Sequence, residues 1–323
     1  MDKGTPLVVA VIANWNLRKD LLECLESLYK TDYPNMHVIV VDNNSTDDSI
    51  VCVQKQFPQT QLIKRNENGG YAAALNDGIR AGSVLNPDFF LVLNNDTLVP
   101  SETLGKLVDT MLSDTQIAIS APKVIYHDHP ERIFSLGDRI YSWFPLPVRI
   151  GRKAYDRPAY SKTMEFDYLF GCALLIRTQS LKQVGLFDTS FFMYYEEVEW
   201  CQRLRSQGDS IHIIPNARVW HKISPEARNE SPFVHYLMTR NRLLWIRCAK
   251  FGFGTYIRVL VFHNLRTLLS WSIRPRWKYK RDQRDAMLIA LRDALLNRYG
   301  PPPTNLGLRK SRTKHLLNNG FAQ

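Results

Sequence analysis

Phe89-Phe90-Leu91-Val92-Leu93-Asn94-Asn95-Asp96 is the stretch on which the fold turns. Its unbroken apolar run predicts a strand buried on both faces. The run stops abruptly at two amides and a carboxylate. In an open α/β sheet, ligands bind outside the carboxyl ends of the strands. A carboxylate placed there beside amides suits a divalent cation that bridges nucleotide phosphates. Taken alone, Asn-Asn-Asp favours a plain polar turn, so the neighbouring runs must decide.

Upstream, an apolar run from Leu7 to Ala13 ends at Asn14-Trp15-Asn16. Leu21, Leu22, Leu25 and Leu28 then recur at helical spacing between Leu17 and Lys30. A β-branched run, His37 to Val41, ends at Asp42-Asn43-Asn44-Ser45-Thr46. The helix after it starts with capping and acidic residues and carries Ile50, Val51, Val53 and Phe57. A short strand, Gln61 to Lys64, precedes Arg65-Asn66-Glu67-Asn68-Gly69-Gly70 and a helix from Ala72 to Ala81. Strand–helix alternation at this pace implies parallel strands joined by crossover helices. The four polar strand ends would then gather along one sheet edge, which is the layout of a nucleotide site. Gly69-Gly70 lacks both the G-x-G-x-x-G spacing and a following Gly-Lys-Ser/Thr. Two glycines opening a helix still permit close backbone approach and favour phosphate.

Downstream, a helix over Glu102 to Leu112 leads to a strand at Ile117 to Ser120. Residues 123–161, rich in aromatics, prolines and arginines, read as an irregular variable loop beside a binding face. Gly171 to Ile176 is a further strand, and Leu181 to Asp188 a short helix and turn. In Phe192-Met193-Tyr194-Tyr195-Glu196-Glu197-Val198-Glu199-Trp200, three acids open a helix that stops at Gly208. They either complement the helix dipole or hold one carboxylate among aromatics with the raised pKa of a general base. Ile211 to Ile214 and Arg218-Val219-Trp220-His221 form a strand or extended arm.

The 323 residues carry 45% hydrophobic and 23% charged residues, which excludes a mainly disordered chain. The net charge of +11 is concentrated after Arg228, densest at Arg274-Pro275-Arg276-Trp277-Lys278-Tyr279-Lys280-Arg281. Such a patch meets nucleic acid, an anionic membrane or phosphorylated substrates, or is simply a solvated basic face. Five scattered cysteines without CxxC spacing disfavour zinc and disulfides and fit the cytoplasm. There is no secretory pattern at the N-terminus, and no run reaches the ~18 apolar residues of a spanning helix.

Read together, these pieces resemble the inverting nucleotide-sugar glycosyltransferases of family 2, which have the GT-A fold. The motifs occur in the family's order: Val11 to Asn16, Val40 to Asp47, Asn66 to Ala72, Leu93 to Asp96, Phe192 to Glu199 and Pro215 to His221. The resemblance covers roughly Pro6 to Lys250 and is strongest to a bacterial rhamnosyltransferase-like branch. It implies that Asn14, Asn16 and Asp42 hold the base and ribose of the donor. Asn66, Asn68, Gly69, Gly70 and Asn95 would line the nucleotide and diphosphate. Asp96, with His221, would ligate Mg²⁺ or Mn²⁺, Asn94 standing where the family has the first Asp of Asp-x-Asp. Glu197 would be the catalytic base, and Gly171, Glu196 and Trp200 would shape the acceptor and sugar pocket.

The implied partners are a nucleotide-sugar donor, dTDP-rhamnose or a UDP-sugar, and a glycan or lipid-linked acceptor in surface-polysaccharide synthesis. The chain divides into a catalytic domain (1–235), a basic amphipathic helical extension (236–300) and a flexible basic tail (301–323). The extension either touches the inner face of a membrane peripherally or packs on the core or a second copy in a homodimer. Two other functions remain open. A nucleotidyltransferase would lack the paired acids Glu196-Glu197. A non-catalytic sugar-nucleotide or nucleic-acid binder would bind without turnover. Nucleic acid is not an expected partner, because the basic residues are mixed into apolar helical faces.

Overall fold

The computed structural model describes residues 4–222, 231–304 and 306. Its first half alternates strand and helix: β1 (Val8–Asn14), α1 (Arg18–Tyr29), β2 (Met36–Asp42), α2 (Ser49–Gln56), β3 (Gln61–Lys64), α3 (Tyr71–Ser83) and β4 (Phe89–Asn94). These four strands lie parallel in the order β3-β2-β1-β4. The register sets Asn14 opposite Asp42 and Ala13 opposite Asn94, so the polar strand ends share one edge.

Side-chain alternation explains why these runs are apolar throughout. Val8, Ala10 and Ile12 face the layer containing Leu21, Leu25 and Val53, whereas Val9, Val11 and Ala13 face Ala72, Leu75 and Ile79. Helix α3 sits unusually close to the sheet. A Cβ at Gly78 would fall 2.3 Å from a methyl of Val11, so only glycine permits this approach.

The chain continues through β5 (Thr97–Leu98), α4 (Thr103–Ser113), β6 (Ile117–Tyr126), β7 (Ile133–Ser135), β8 (Asp138–Tyr141), β9 (Phe144–Arg149), β10 (Met164–Glu165), β11 (Ala173–Arg177), α5 (Thr178–Val184), α6 (Glu196–Ser206) and β12 (Ser210–His221), with β8 and β9 in a separate two-stranded sheet and the other strands in the main one. Strand β11 runs antiparallel between β4 and β6, and β12 then lies parallel to β6. The register slips between Ile214 and Arg218, where Pro215 supplies no ladder donor. His221 ends β12 opposite Thr97, which brings it beside Asp96. This is a mixed α/β architecture with a mostly parallel central sheet.

Two expectations change here. Residues 123–161 are not an irregular loop: β6 runs on to Tyr126, β7 pairs with it, and β8–β9 form a hairpin with Asp138 opposite Arg149. Second, α7 (Pro232–Cys248) spans the expected boundary at 235/236, and its Leu244, Trp245 and Ile246 lie in the same cluster as Val11 and Val92. Beyond it come α8 (Phe253–Val259), a π-helical turn (Leu260–Leu265), α9 (Arg266–Ile273) and α10 (Arg281–Leu295). The expected tail falls mostly outside the described residues.

Candidate active site

A cleft partly open to solvent lies over the carboxyl ends of β1 and β4. One wall begins at Asn14. Its amide nitrogen reaches Asp42 Oδ1 at 3.2 Å, and its Oδ1 accepts from Asn95 Nδ2 at 2.8 Å. Asn14 and Asn95 both line the cleft, and so does Asn68 at the entrance to α3.

Asp42 and Asn16 stand one layer behind that wall. Asp42 is buried and uses its carboxylate on the Ser45 amide and hydroxyl and on Asn14. Asn16 Oδ1 accepts the Thr46 amide at 2.9 Å. Asn66 is exposed and outside the cleft lining. Gly69 and Gly70 are held by Asn43, whose Oδ1 accepts from Gly69 N at 3.3 Å and whose amide donates to Gly70 O at 2.9 Å. At Gly70 φ is +87°, and a Cβ there would fall 2.3 Å from the Phe192 carbonyl oxygen. Glycine is therefore required for two independent reasons at once.

The floor carries the acid and histidine of the expected metal site. Asp96 Oδ1 and His221 Nε2 lie 3.1 Å apart but off hydrogen-bond alignment. Neither these atoms nor His221 Nδ1 has a hydrogen-bond partner among the described residues, although all three are buried. Burial alone would raise the Asp96 carboxyl, but the adjoining His221 ring outweighs it and holds the pKa below the ordinary carboxylate range. Buried ligand atoms without partners fit a hard divalent cation taking one carboxylate and one imidazole, with donor oxygens and water filling the remaining positions. Among the described residues no cluster of three or more His, Cys, Asp or Glu is present, so of these Asp96 and His221 alone would contribute to the shell.

The same cleft takes in the start of α6. Glu196 and Glu197 are both buried and both line the cleft. Burial first, and then the neighbouring Glu197, push the Glu196 carboxyl well above the usual range. Glu197 Oε1 also accepts from Tyr168 OH at 3.2 Å. Tyr168 is in turn approached by Arg149, which lies over the rings of Phe134 and Phe170 and pairs with Asp138. Gly171 faces Glu197: a Cβ there would meet Glu197 Cγ at 3.4 Å. Trp200 does not reach the cleft. It is fully buried, stacks near Phe187 and donates its indole N–H to Gly185 O at 2.8 Å, because it lies on the core stripe with Cys201 and Leu204.

The structure adds residues that the sequence did not single out. Tyr71 OH lies 2.7 Å from Asn94 Oδ1 and 3.2 Å from Gly171 O, and its single hydrogen is donated to one of them at a time. Burial, then Glu196 and Glu197, keep that phenol protonated by raising its pKa far above the usual value. The loop ahead of α6 is conformationally unusual. Phe192, Tyr194 and Tyr195 all have positive φ, and Met193 N donates to Phe191 O at 2.7 Å across a three-residue turn. Asn241 of α7 braces it, its Nδ2 lying 2.6, 2.9 and 2.8 Å from the carbonyl oxygens of Phe191, Met193 and Tyr194.

Known proteins resemble this chain in sequence and in fold. The chain is 26% identical over 299 residues to a low-salt glycan biosynthesis hexosyltransferase of Haloferax volcanii, covering 90% of this chain and 92% of the relative. It is 24% identical over 240 residues to an N-acetylglucosaminyl-diphospho-decaprenol L-rhamnosyltransferase of Mycobacterium tuberculosis, covering 67% and 76%. Its fold matches the Pyrobaculum calidifontis mannosyltransferase solved with GDP-mannose and Mn²⁺, with a TM-score of 0.55 at 15% identity over 91% of this chain and 88% of the other. A family profile described as glycosyltransferase-like family 2 matches residues 6–245, and the chain belongs to that family.

Proposed function

We propose that this protein transfers a sugar, L-rhamnose or another deoxyhexose, from a dTDP or UDP donor to a hydroxyl of a glycan or lipid-linked glycan, with inversion at the anomeric carbon. The observation that carries the reading is one cleft with two chemically distinct walls. On one side are the amides of Asn14, Asn68 and Asn95 and the pair Asp96–His221; on the other is the buried Glu196–Glu197 pair. The first wall suits a nucleotide diphosphate and the second a proton acceptor.

In this reading the amide wall orients the nucleotide, and Asp96 with His221 holds Mg²⁺ or Mn²⁺. That ion, when bound, offsets negative charge developing on the departing diphosphate. The proton shared in the glutamate pair stays on Glu196, which leaves Glu197 to accept from the acceptor hydroxyl. Tyr168 fixes the Glu197 carboxylate through Oε1. The hydroxyl oxygen then bonds to the anomeric carbon from the face opposite the diphosphate, whose bond to that carbon breaks. A single displacement inverts the centre and needs no covalent sugar–protein step. The mycobacterial relative's name, with its diphospho-decaprenol acceptor and L-rhamnose, supports the sugar and the lipid-linked acceptor.

A thermal-shift screen of nucleotide sugars with Mn²⁺ or Mg²⁺ tests the donor. Binding to the native state alone raises stability as RT ln(1 + [L]/Kd), which is ~2.7 kcal/mol at a hundredfold excess over Kd. A shift with dTDP-rhamnose and none with UDP-glucose is expected. Shifts with UDP-sugars alone would replace the sugar and keep the chemistry, whereas no shift with any sugar nucleotide would overturn the reading.

A further inference from the structure

Residues 231–281 contain eleven Lys and Arg residues and no Asp or Glu, so this segment alone carries a charge equal to the net charge of the whole chain. Its helices divide into two kinds. Helices α7 and α10 pack inward: Leu243, Met287 and Leu291 form one cluster that also takes in Leu268 of α9. Helix α8, the π-helical turn and α9 bury Val259 in the main core, Asn264 against Arg242 and Leu268 in that cluster, and a second apolar face is left to solvent.

That second face is regular. Phe253, Ile257, Val261, Leu265, Leu269 and Ile273 recur every four residues and are all exposed, Phe253 by 79% and Ile273 by 74%. In an uninterrupted α-helix of 3.6 residues per turn, a four-residue repeat drifts about 40° per step and would spiral round to the packed side. The wider π turn at Leu260–Leu265 takes up part of that drift and keeps the stripe on the outside. Trp143, at the tip of the β8–β9 hairpin, extends it: the indole is 69% exposed, and its backbone carbonyl accepts from the Arg258 guanidinium. Arg258, Arg266, Arg274 and Arg276 border the stripe and are exposed.

We propose that this face docks on an anionic lipid bilayer, with the stripe and Trp143 entering the boundary between headgroups and acyl chains and the arginines among lipid phosphates. Apolar residues flanked by cations and an interfacial tryptophan are what such a boundary takes up. Charge complementarity selects this occupant. A second copy of the chain would bring two acid-free basic faces together around the same stripe, so like charges would oppose its approach. A nucleic acid would leave the aliphatic row against phosphates.

The inference rests on the proposed transferase reading, because it explains how a lipid-borne acceptor reaches the cleft. The hairpin that carries Trp143 ends in Arg149, and Arg149 leads through Tyr168 to Glu197. A membrane at the stripe would therefore adjoin the base side of the cleft rather than the amide wall.

Flotation of the full-length protein tests it, using vesicles of phosphatidylcholine alone and vesicles containing about one-third phosphatidylglycerol. Wild type should float with the anionic vesicles and at least tenfold less with the neutral ones. The double variant Phe262→Glu/Leu269→Glu changes only exposed side chains, Phe262 (63% exposed) standing next to Val261 of the stripe, so circular dichroism and Tm should match wild type while anionic binding falls at least tenfold. Arg274→Glu/Arg276→Glu should lose binding to anionic vesicles alone. Equal flotation of wild type and the Phe262→Glu/Leu269→Glu variant overturns the proposal, and so does no flotation at all. A dimer in light scattering that this variant converts to monomer also overturns it. Transfer to a short water-soluble acceptor separates the two readings: if it persists while flotation fails, only the docking face is lost.

Discussion

Asn241 lies on a helix outside the nucleotide-binding half, yet one of its atoms braces the loop that presents Glu196 and Glu197. Its side chain is fully buried, and Nδ2 approaches three carbonyl oxygens within 2.9 Å. An amide nitrogen has two hydrogens, so two of these contacts can be full hydrogen bonds at any moment. Asn241→Leu keeps the volume and removes both donors. Phe191 O keeps the Met193 N–H, so the loss falls on the part-buried Met193 and Tyr194 carbonyls, and leaving them without this donor costs at most about 1–3 kcal/mol each, roughly 2–6 kcal/mol together. The loop holds three non-glycine residues at positive φ, Phe192, Tyr194 and Tyr195, and left-handed backbone costs roughly 1–2 kcal/mol per residue. The strain released by relaxation, roughly 3–6 kcal/mol, thus matches what the brace supplies. Without Asn241 the loop is expected to leave this conformation and carry the start of α6 with it. A displacement of ~1 Å at reacting groups costs about a hundredfold in rate. The assay is steady-state transfer beside donor binding by calorimetry. A fall in kcat of about a hundredfold is expected, with the donor Kd held within about twofold because Asn14, Asn68 and Asn95 are untouched. A folded Asn241→Leu protein with wild-type kcat would refute the reasoning.

Two further outcomes follow from the site's electrostatics. Glu196 binds its proton more tightly folded than unfolded, so its contribution to stability is complete below the unfolded value near ~4.3 and is lost as pH rises through the raised folded value. Glu196→Gln should therefore match wild type in Tm near pH 4 and exceed it at pH 8; a lower Tm at pH 8 would contradict the assignment. Asp96→Asn removes one of two protein ligands for the cation, and Mn²⁺ affinity of the donor complex, read by calorimetry, should fall by about tenfold or more. Unchanged Mn²⁺ binding would mean that the ion, if held, sits elsewhere.

How far the sequence reached can be argued from particular residues. Strands β1 to β4 were legible because burial on both faces demands continuous apolar runs, and each run ends in a polar residue at the same edge. Trp200 was misplaced by its position beside the acids, although Trp200, Cys201 and Leu204 already carry the helical spacing of a core stripe. Asp42 was assigned to the ligand, and a carboxylate three residues before Ser45 is also the local signature of a self-satisfied turn. The β8–β9 hairpin was hidden because Pro145, Pro147 and Gly137 interrupt alternation, and with it Arg149 and its link to Glu197 were hidden too. Asn241 was out of reach in principle. Its partners lie 47 to 50 residues away in sequence, and only the packing of α7 on the core brings them together.

The central claim is that Glu197 takes the acceptor proton, and Glu197→Gln tests it with the least ambiguity. Glutamine keeps the shape and can still accept from Tyr168 through its amide oxygen, but it lacks the basicity. Transfer from the donor identified by thermal shift should fall by about 10²–10⁴-fold, the usual contribution of a general base. Donor affinity, measured in the same preparation with Mn²⁺ present, should stay within about twofold. Transfer at the wild-type rate by Glu197→Gln would remove Glu197 as the base and with it the mechanism proposed for this cleft.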